Sequence, residues 1–155
     1  MMIYEGIKEI ETAEGTEHIA TAVPLSNVAQ TIARLLTDIS GERLTAKRTS
    51  AMLYKTLMFN KGTPVIESID ELENDTSLAR KVKEMLKEAE PFYFIYGSYV
   101  IKDINDFITT VTVQYYLVSV LRDSNNGNDF TIKITKIKHY KAEEGRKGYG
   151  KILMQ

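Results

Sequence analysis

The period of the apolar residues changes at Pro91, and that change limits the folds open to this chain. Before Pro91 they recur every three or four positions, the repeat of a helix buried on one side. After it they alternate, the repeat of a strand with one buried face. A proline at the boundary breaks the last helix. Helices followed by strands, rather than the two interleaved, point to an α+β domain in which helices pack on a sheet.

The helical half contains three segments. Leu25, Val28, Ile32, Leu35, Leu36 and Ile39 form one apolar stripe, with Ser26 or Asn27 as N-cap and Gly41 as stop. A second helix is predicted within residues 45–62, with Leu53, Tyr54, Leu57 and Met58 inward and Gly62 ending it. A third starts between Ser68 and Thr76, where Ser68 and Glu71 have capping-box spacing. It continues through Leu78, Val82, Met85, Leu86 and Ala89. Ahead of these, residues 17–23 read as a short strand, and Ile3, Ile7 and Ile10 fit a helix or a strand equally well.

Beyond Pro91, residues 92–101 form one predicted strand and residues 107–121 a longer one. Asn126-Gly127 supplies a type I′ hairpin turn, and Phe130, Ile132 and Ile134 alternate on the returning arm. On the outgoing arm Val111, Val113, Tyr115, Leu117 and Leu121 read as the core face, with Thr110, Thr112 and Gln114 on the wet one. The apolar phase then slips to Ile137. A one-residue bulge near Thr135 and Lys136 accounts for it, with Leu121 opposite Ile132 and Leu117 opposite Ile137. The expectation is a single α+β domain, residues 1–155: N-terminal amphipathic helices packed on an antiparallel sheet with a long C-terminal β-hairpin. No repeat, low-complexity tract or linker divides it. A chain of 155 residues buries about 70% of its unfolded surface and needs no disulfide or metal to fold.

The outgoing arm is apolar on both faces around Tyr116, Val118 and Val120, and one set of helices covers only one face. These three residues are therefore expected in a subunit interface, with Lys133 and Lys138 at its rim. The lysines have two readings. Charges on an edge strand discourage unwanted pairing. Alternatively Lys133, Lys136, Lys138, Lys141, Arg146, Lys147 and Lys151, interleaved with Tyr140 and Tyr149, form a basic patch that contacts phosphate while the rings stack on bases.

Catalytic constellations are few. Cysteine is absent, which removes thiol chemistry and zinc-thiolate sites. Residues 145–152, GRKGYGKI, have the spacing of a phosphate-binding loop, but Ile152 replaces the magnesium-binding hydroxyl and only three residues follow it. His18 and His139 are the only histidines, too few for a multi-histidine site. The acids Glu67, Asp70, Glu71, Glu73 and Asp75 suit a helix start by charge alone. The expectation is a non-enzymatic protein with no cofactor and no metal. The net charge of −1 gives no bulk attraction to nucleic acid or to an anionic surface. No apolar run approaches the roughly 20 residues a membrane helix needs, and the N-terminus carries acids where a signal peptide carries bases. A soluble, cytoplasmic protein is expected, or a virion component if it is structural.

The helical half, the strand in PFYFIYGSYVIKDI, the long arm TTVTVQYYLVSVLRD, a polar turn and a returning strand together resemble the tail-completion and tail-terminator proteins of tailed bacteriophages. That resemblance covers about residues 90–140. It implies a small α+β subunit that assembles into a neck or tail-end ring through sheet edges and projecting hairpins, so the partners would be further copies or other structural subunits. Two alternatives stay open: a small nucleic-acid-binding or regulatory module using the basic C-terminal segment, and a phage-encoded inhibitor that binds a host protein.

Overall fold

The computed structural model describes residues 8–12, 15–59, 63–66, 72–103, 109–123, 127–137, 140–142 and 150–152. The chain begins with β1 (Lys8–Thr12) and β2 (Gly15–Pro24). A 3₁₀ turn at Leu25–Asn27 leads into α1 (Val28–Ser40), then α2 (Ala46–Phe59) and the short β3 (Val65–Ile66). A second 3₁₀ turn, Leu72–Asn74, precedes α3 (Leu78–Glu88). The sheet is completed by β4 (Phe92–Asp103), β5 (Thr109–Arg122) and β6 (Asp129–Ile137), while β7 (Tyr140–Ala142) and β8 (Gly150–Ile152) form a separate antiparallel pair.

Six strands lie in the order β1-β2-β6-β5-β4-β3. Every neighbouring pair is antiparallel except β3 and β4, so the expected antiparallel sheet is in fact mixed at one edge. The α+β class stands. The predicted hairpin of β5 and β6 lies in the middle of the sheet, because β2 returns to pair with β6. Lys133 is therefore on an interior strand, between Ile19 and Ser119, and the edge-protection reading falls away for it.

The helices behave much as their stripes predict. In α1, Val28, Ile32, Leu35 and Leu36 are buried. Gly41 ends the helix in the left-handed region, its N–H donating to the Thr37 carbonyl at 2.9 Å. Asn27 holds the N-cap position without a side-chain bond to the helix. In α2 the inner stripe is Thr49, Met52, Leu53 and Thr56, with Tyr54 and Leu57 half-buried. Met58, predicted inward, is 58% exposed; two residues past Thr56 places it on the opposite side of the helix. Helix α3 begins at Leu78, later than predicted, after Asp75 accepts bonds from the Ser77 N–H (2.9 Å) and hydroxyl (2.6 Å). Ser68, Glu71 and Gly62 lie outside the described residues.

All three helices cover one face of the sheet, and the core is what they enclose: Phe94, Tyr96, Tyr116, Val118, Val120, Phe130, Ile132 and Ile134 from the strands, with Leu36, Leu53, Val82 and Leu86 from the helices. The face predicted for β5 is thus inverted. Register pairs Val118 with Ile134 and Val120 with Ile132, so the even-numbered residues point at the helices. Val111 is 57% exposed on the other side. Alternation could not decide this, because both faces of β5 are apolar from Tyr115 to Leu121.

The predicted bulge is absent from this pair as well. Register is continuous from Tyr115 opposite Ile137 to Arg122 opposite Phe130, which sets Leu121 against Thr131 and Leu117 against Thr135. The slip to Ile137 is a change of face: Lys136 leaves the helix side exposed, and Ile137 is buried on the other. The irregularity lies instead in β2, where register against β6 shifts between Ala20 and Val23 and Ala22 takes φ of 56°. Between β5 and β6 the Asp123 N–H donates to the Asp129 carbonyl at 2.8 Å; Asn126 of the predicted turn lies outside the described residues.

Candidate functional site

Among the described residues every helix lies on one side of the sheet, and on the other side Ile95 and Ile137 are buried while several neighbours are not. Tyr93 and Tyr99 on β4 are 40% and 56% exposed there, alongside exposed Val111 and the half-buried Val113, Tyr115, Leu117 and Leu121 of β5. Register sets Tyr99 beside Val113 and Tyr93 beside Ser119. An aromatic and aliphatic strip across two neighbouring strands is the kind of surface that binds another protein.

The strip continues onto a projecting ribbon. The β4–β5 pairing runs from Phe92 opposite Val120 to Asp103 opposite Thr109. The flanking strands stop sooner: β3 meets β4 only at Ile95 and Tyr96, and β6 meets β5 no further than Tyr115. Among the described residues, Ser98–Asp103 therefore has a strand on one side only. At the root of the ribbon the Gln114 side-chain amide donates to the carbonyls of Tyr115 and Ile137, both at 3.1 Å, and so satisfies an acceptor at the end of β6.

On the helix side of the same end, the α1–α2 connection is pinned to the sheet by a carboxylate. Glu42 Oε2 accepts the Tyr96 hydroxyl at 2.9 Å and the Ser98 hydroxyl at 2.6 Å. Thr37 holds the same connection, accepting the Leu44 N–H at 2.9 Å. The Tyr96 and Tyr116 rings stack with centroids 6.5 Å apart. Burial, and then the bond to Glu42, push the Tyr96 hydroxyl well above the ordinary tyrosine range. Burial and the Glu42 charge raise Tyr116 likewise. Both rings are thus held neutral, as hydrogen-bond donors and packing surfaces rather than as bases or nucleophiles.

The sequence-predicted site residues separate. Tyr116, Val118 and Val120 are buried beneath the helices of their own chain, so the interface assigned to them is corrected: they are core, and the exposed apolar residues are those of the opposite face. Lys133 is half-buried and Lys136 exposed, and they occupy opposite faces of β6. Lys141 and Lys151 are register partners across β7 and β8. Lys138, Arg146 and Lys147 lie outside the described residues, as does His139. Among the described residues no three of His, Asp and Glu gather as metal ligands, and no helix is long and apolar enough to cross a membrane. Two open depressions flank the helices. One, of about 330 Å³, has Leu57, Met85, Glu88 and Phe92 among its lining residues; the other, of about 420 Å³, has Arg34, Asp38 and Arg43.

No family model matches this chain, and neither a curated protein nor a solved structure is similar to it.

Proposed function

We propose that this protein is a non-enzymatic interaction subunit whose contact surface is the β4–β5 ribbon and the sheet face opposite the described helices, continuous with it. One observation carries the reading: Tyr93, Tyr99 and Val111, exposed by 40%, 56% and 57%, all lie on that face, two of them on a ribbon that outruns its neighbouring strands. A two-stranded ribbon is marginal in water unless its apolar side is covered. An exposed tyrosine surface on a rigid sheet is suited to that cover coming from another protein. The neck and tail-end subunits of tailed phages, which the architecture resembles, are one setting for such a role; inhibition of a host protein through the same face is another.

The test is the mass of the pure protein by light scattering across a concentration series, with Tyr99→Glu beside the parent. Tyr99 is outside the core, so the variant should keep its melting temperature within a few degrees while losing assembly. Equal assembly in parent and variant would remove the face from the contact.

A second reading has its own observation. The β7–β8 pairing sets Lys141 directly across from Lys151, concentrating positive charge where phosphate could relieve it. Binding of a labelled oligonucleotide that weakens steeply with salt, and is lost in Lys141→Glu, would support a nucleic-acid module.

A further inference from the structure

We infer that the depression between α1 and α2 is an anion-binding site, and that its ligand is a phosphate group, free or carried by a small organic molecule. The site lies on the helix side of the sheet, away from the tyrosine strip, and does not depend on the interaction reading above.

The lining selects for negative charge. The depression, of about 420 Å³, is bounded by Arg34 and Asp38 of α1, by Arg43 of the α1–α2 connection and by Ala46 at the start of α2. Two guanidinium groups thus line it with one carboxylate, in a chain whose net charge is −1, and a recess of that balance concentrates anions locally. The first turn of α2 adds Lys47 and Arg48 and contains no acid, although that end of a helix favours acids and disfavours bases. Local choices that run against the preferences of the fold gather at functional sites, and a bound anion offsets this one. Ala33 and Leu44, both buried, also line the recess, an apolar surface suited to the body of a small ligand.

The backbone that carries these groups is held in place. Arg34 belongs to α1, whose inner stripe is buried. Arg43 stands between two anchored neighbours. On one side the Glu42 carboxylate accepts the Tyr96 and Ser98 hydroxyls. On the other the Leu44 N–H donates to the Thr37 hydroxyl at 2.9 Å, and that hydroxyl donates to the Ala33 carbonyl at 2.7 Å. With Glu42 turned to the sheet, Arg43 is left exposed at the recess. Among the described residues its guanidinium has neither a hydrogen bond nor an ion pair. A planar fork on a fixed connection matches two phosphate oxygens at once, which an ammonium does not.

Inorganic phosphate, phenyl phosphate and phenol, titrated calorimetrically into the full chain at constant ionic strength, test the assignment. Both phosphates should bind saturably at millimolar concentration or below and compete with each other, and phenol should not bind. Tighter binding of phenyl phosphate assigns the site to a small organic phosphate, and equal binding assigns it to the free ion. Arg43→Gln should raise the dissociation constant roughly tenfold or more while its melting temperature stays that of the parent. Arg43→Lys should recover little of the loss, and Arg34→Gln should weaken binding as well. Lys83→Gln, which removes the same charge from an exposed position on α3, should bind as the parent does. The site is overturned if neither phosphate binds, if Arg43→Gln binds like the parent, or if Lys83→Gln weakens binding as much. Binding of an oligonucleotide through Arg43 without binding of either small phosphate would overturn it in favour of a nucleic-acid face.

Discussion

Ala22 and Gly41 both occupy left-handed backbone, with φ of 56° and 75°, and only one is the residue that suits it. An L side chain there costs about 1–2 kcal/mol. Ala22→Gly should therefore stabilise the protein by up to about 1 kcal/mol, once the greater freedom of unfolded glycine is subtracted. Gly41→Ala should destabilise by a similar amount. A Cβ at Gly41 would meet no atom within 4 Å, so that cost lies in the backbone alone. Urea midpoints of the two variants check both signs. Glu42 is the other residue on which much depends: Glu42→Ala leaves the Tyr96 and Ser98 hydroxyls without their acceptor and should cost about 1–3 kcal/mol, with Glu42→Gln milder because its amide oxygen still accepts. The burial of Tyr96, and then the same bond, give a pH dependence. Folded Tyr96 keeps its proton where an unfolded tyrosine releases it, near pH 10. Its contribution is complete below that pH and is lost as pH rises towards the folded value. Unfolding free energy should fall between about pH 9 and pH 11, and the fall should be shallower in Tyr96→Phe. Glu42 was not legible in the sequence. An acid in Gly-Glu-Arg between two helices reads as a solvated loop, and its partners lie 54 and 56 residues away.

Among the elements, α1 was legible and β5 was only half so. The α1 stripe faces a sheet on one side and water on the other, so its period alone names its inner residues. β5 is apolar on both faces where it crosses the sheet, so periodicity identified a strand but not its orientation. The two-residue β3 carries no period at all. The correct orientation reverses what a charge in β5 should do. Val118 is fully buried, so Val118→Glu should cost several kcal/mol through an unpaired buried charge and unfold the chain rather than merely dissociate it; far-UV circular dichroism distinguishes the two. Arg122 joins elements that the sequence does not associate. Its guanidinium donates to the Leu86 carbonyl at 2.8 Å and to the Lys87 carbonyl at the end of α3. It also donates to the Gly127 carbonyl at 2.8 Å, and lies over the Phe130 ring at 5.2 Å. Arg122→Ala should lower stability by about 1.5–3 kcal/mol. Arg122→Lys should recover little of it, since a single ammonium cannot span that fork and the ring together.

For the whole molecule, the helices-then-strands order at Pro91 gave the class, but the place of β2 had no local signal. β-Strand alternation in residues 17–23 marks a strand without naming its neighbour, and that neighbour is the last strand of the main sheet. Glu17 and Thr135, 118 residues apart, are register partners, and the Thr135 hydroxyl donates to the Glu17 carboxylate at 3.4 Å. The consequence is one of timing. Closing so long a loop is slow and gains nothing until the returning strand docks. A chain emerging from the ribosome can pair β2 with β1 at once, but leaves the other edge of β2 open until residues 129–137 have been made. In that interval β5 is likewise open along one edge, with Val118 and Val120 on it. The order of synthesis thus leaves the centre of the finished sheet as its last seam to close, and a chain stalled before residue 129 would present β2 and β5 as two unsealed edges to whatever strand it met first.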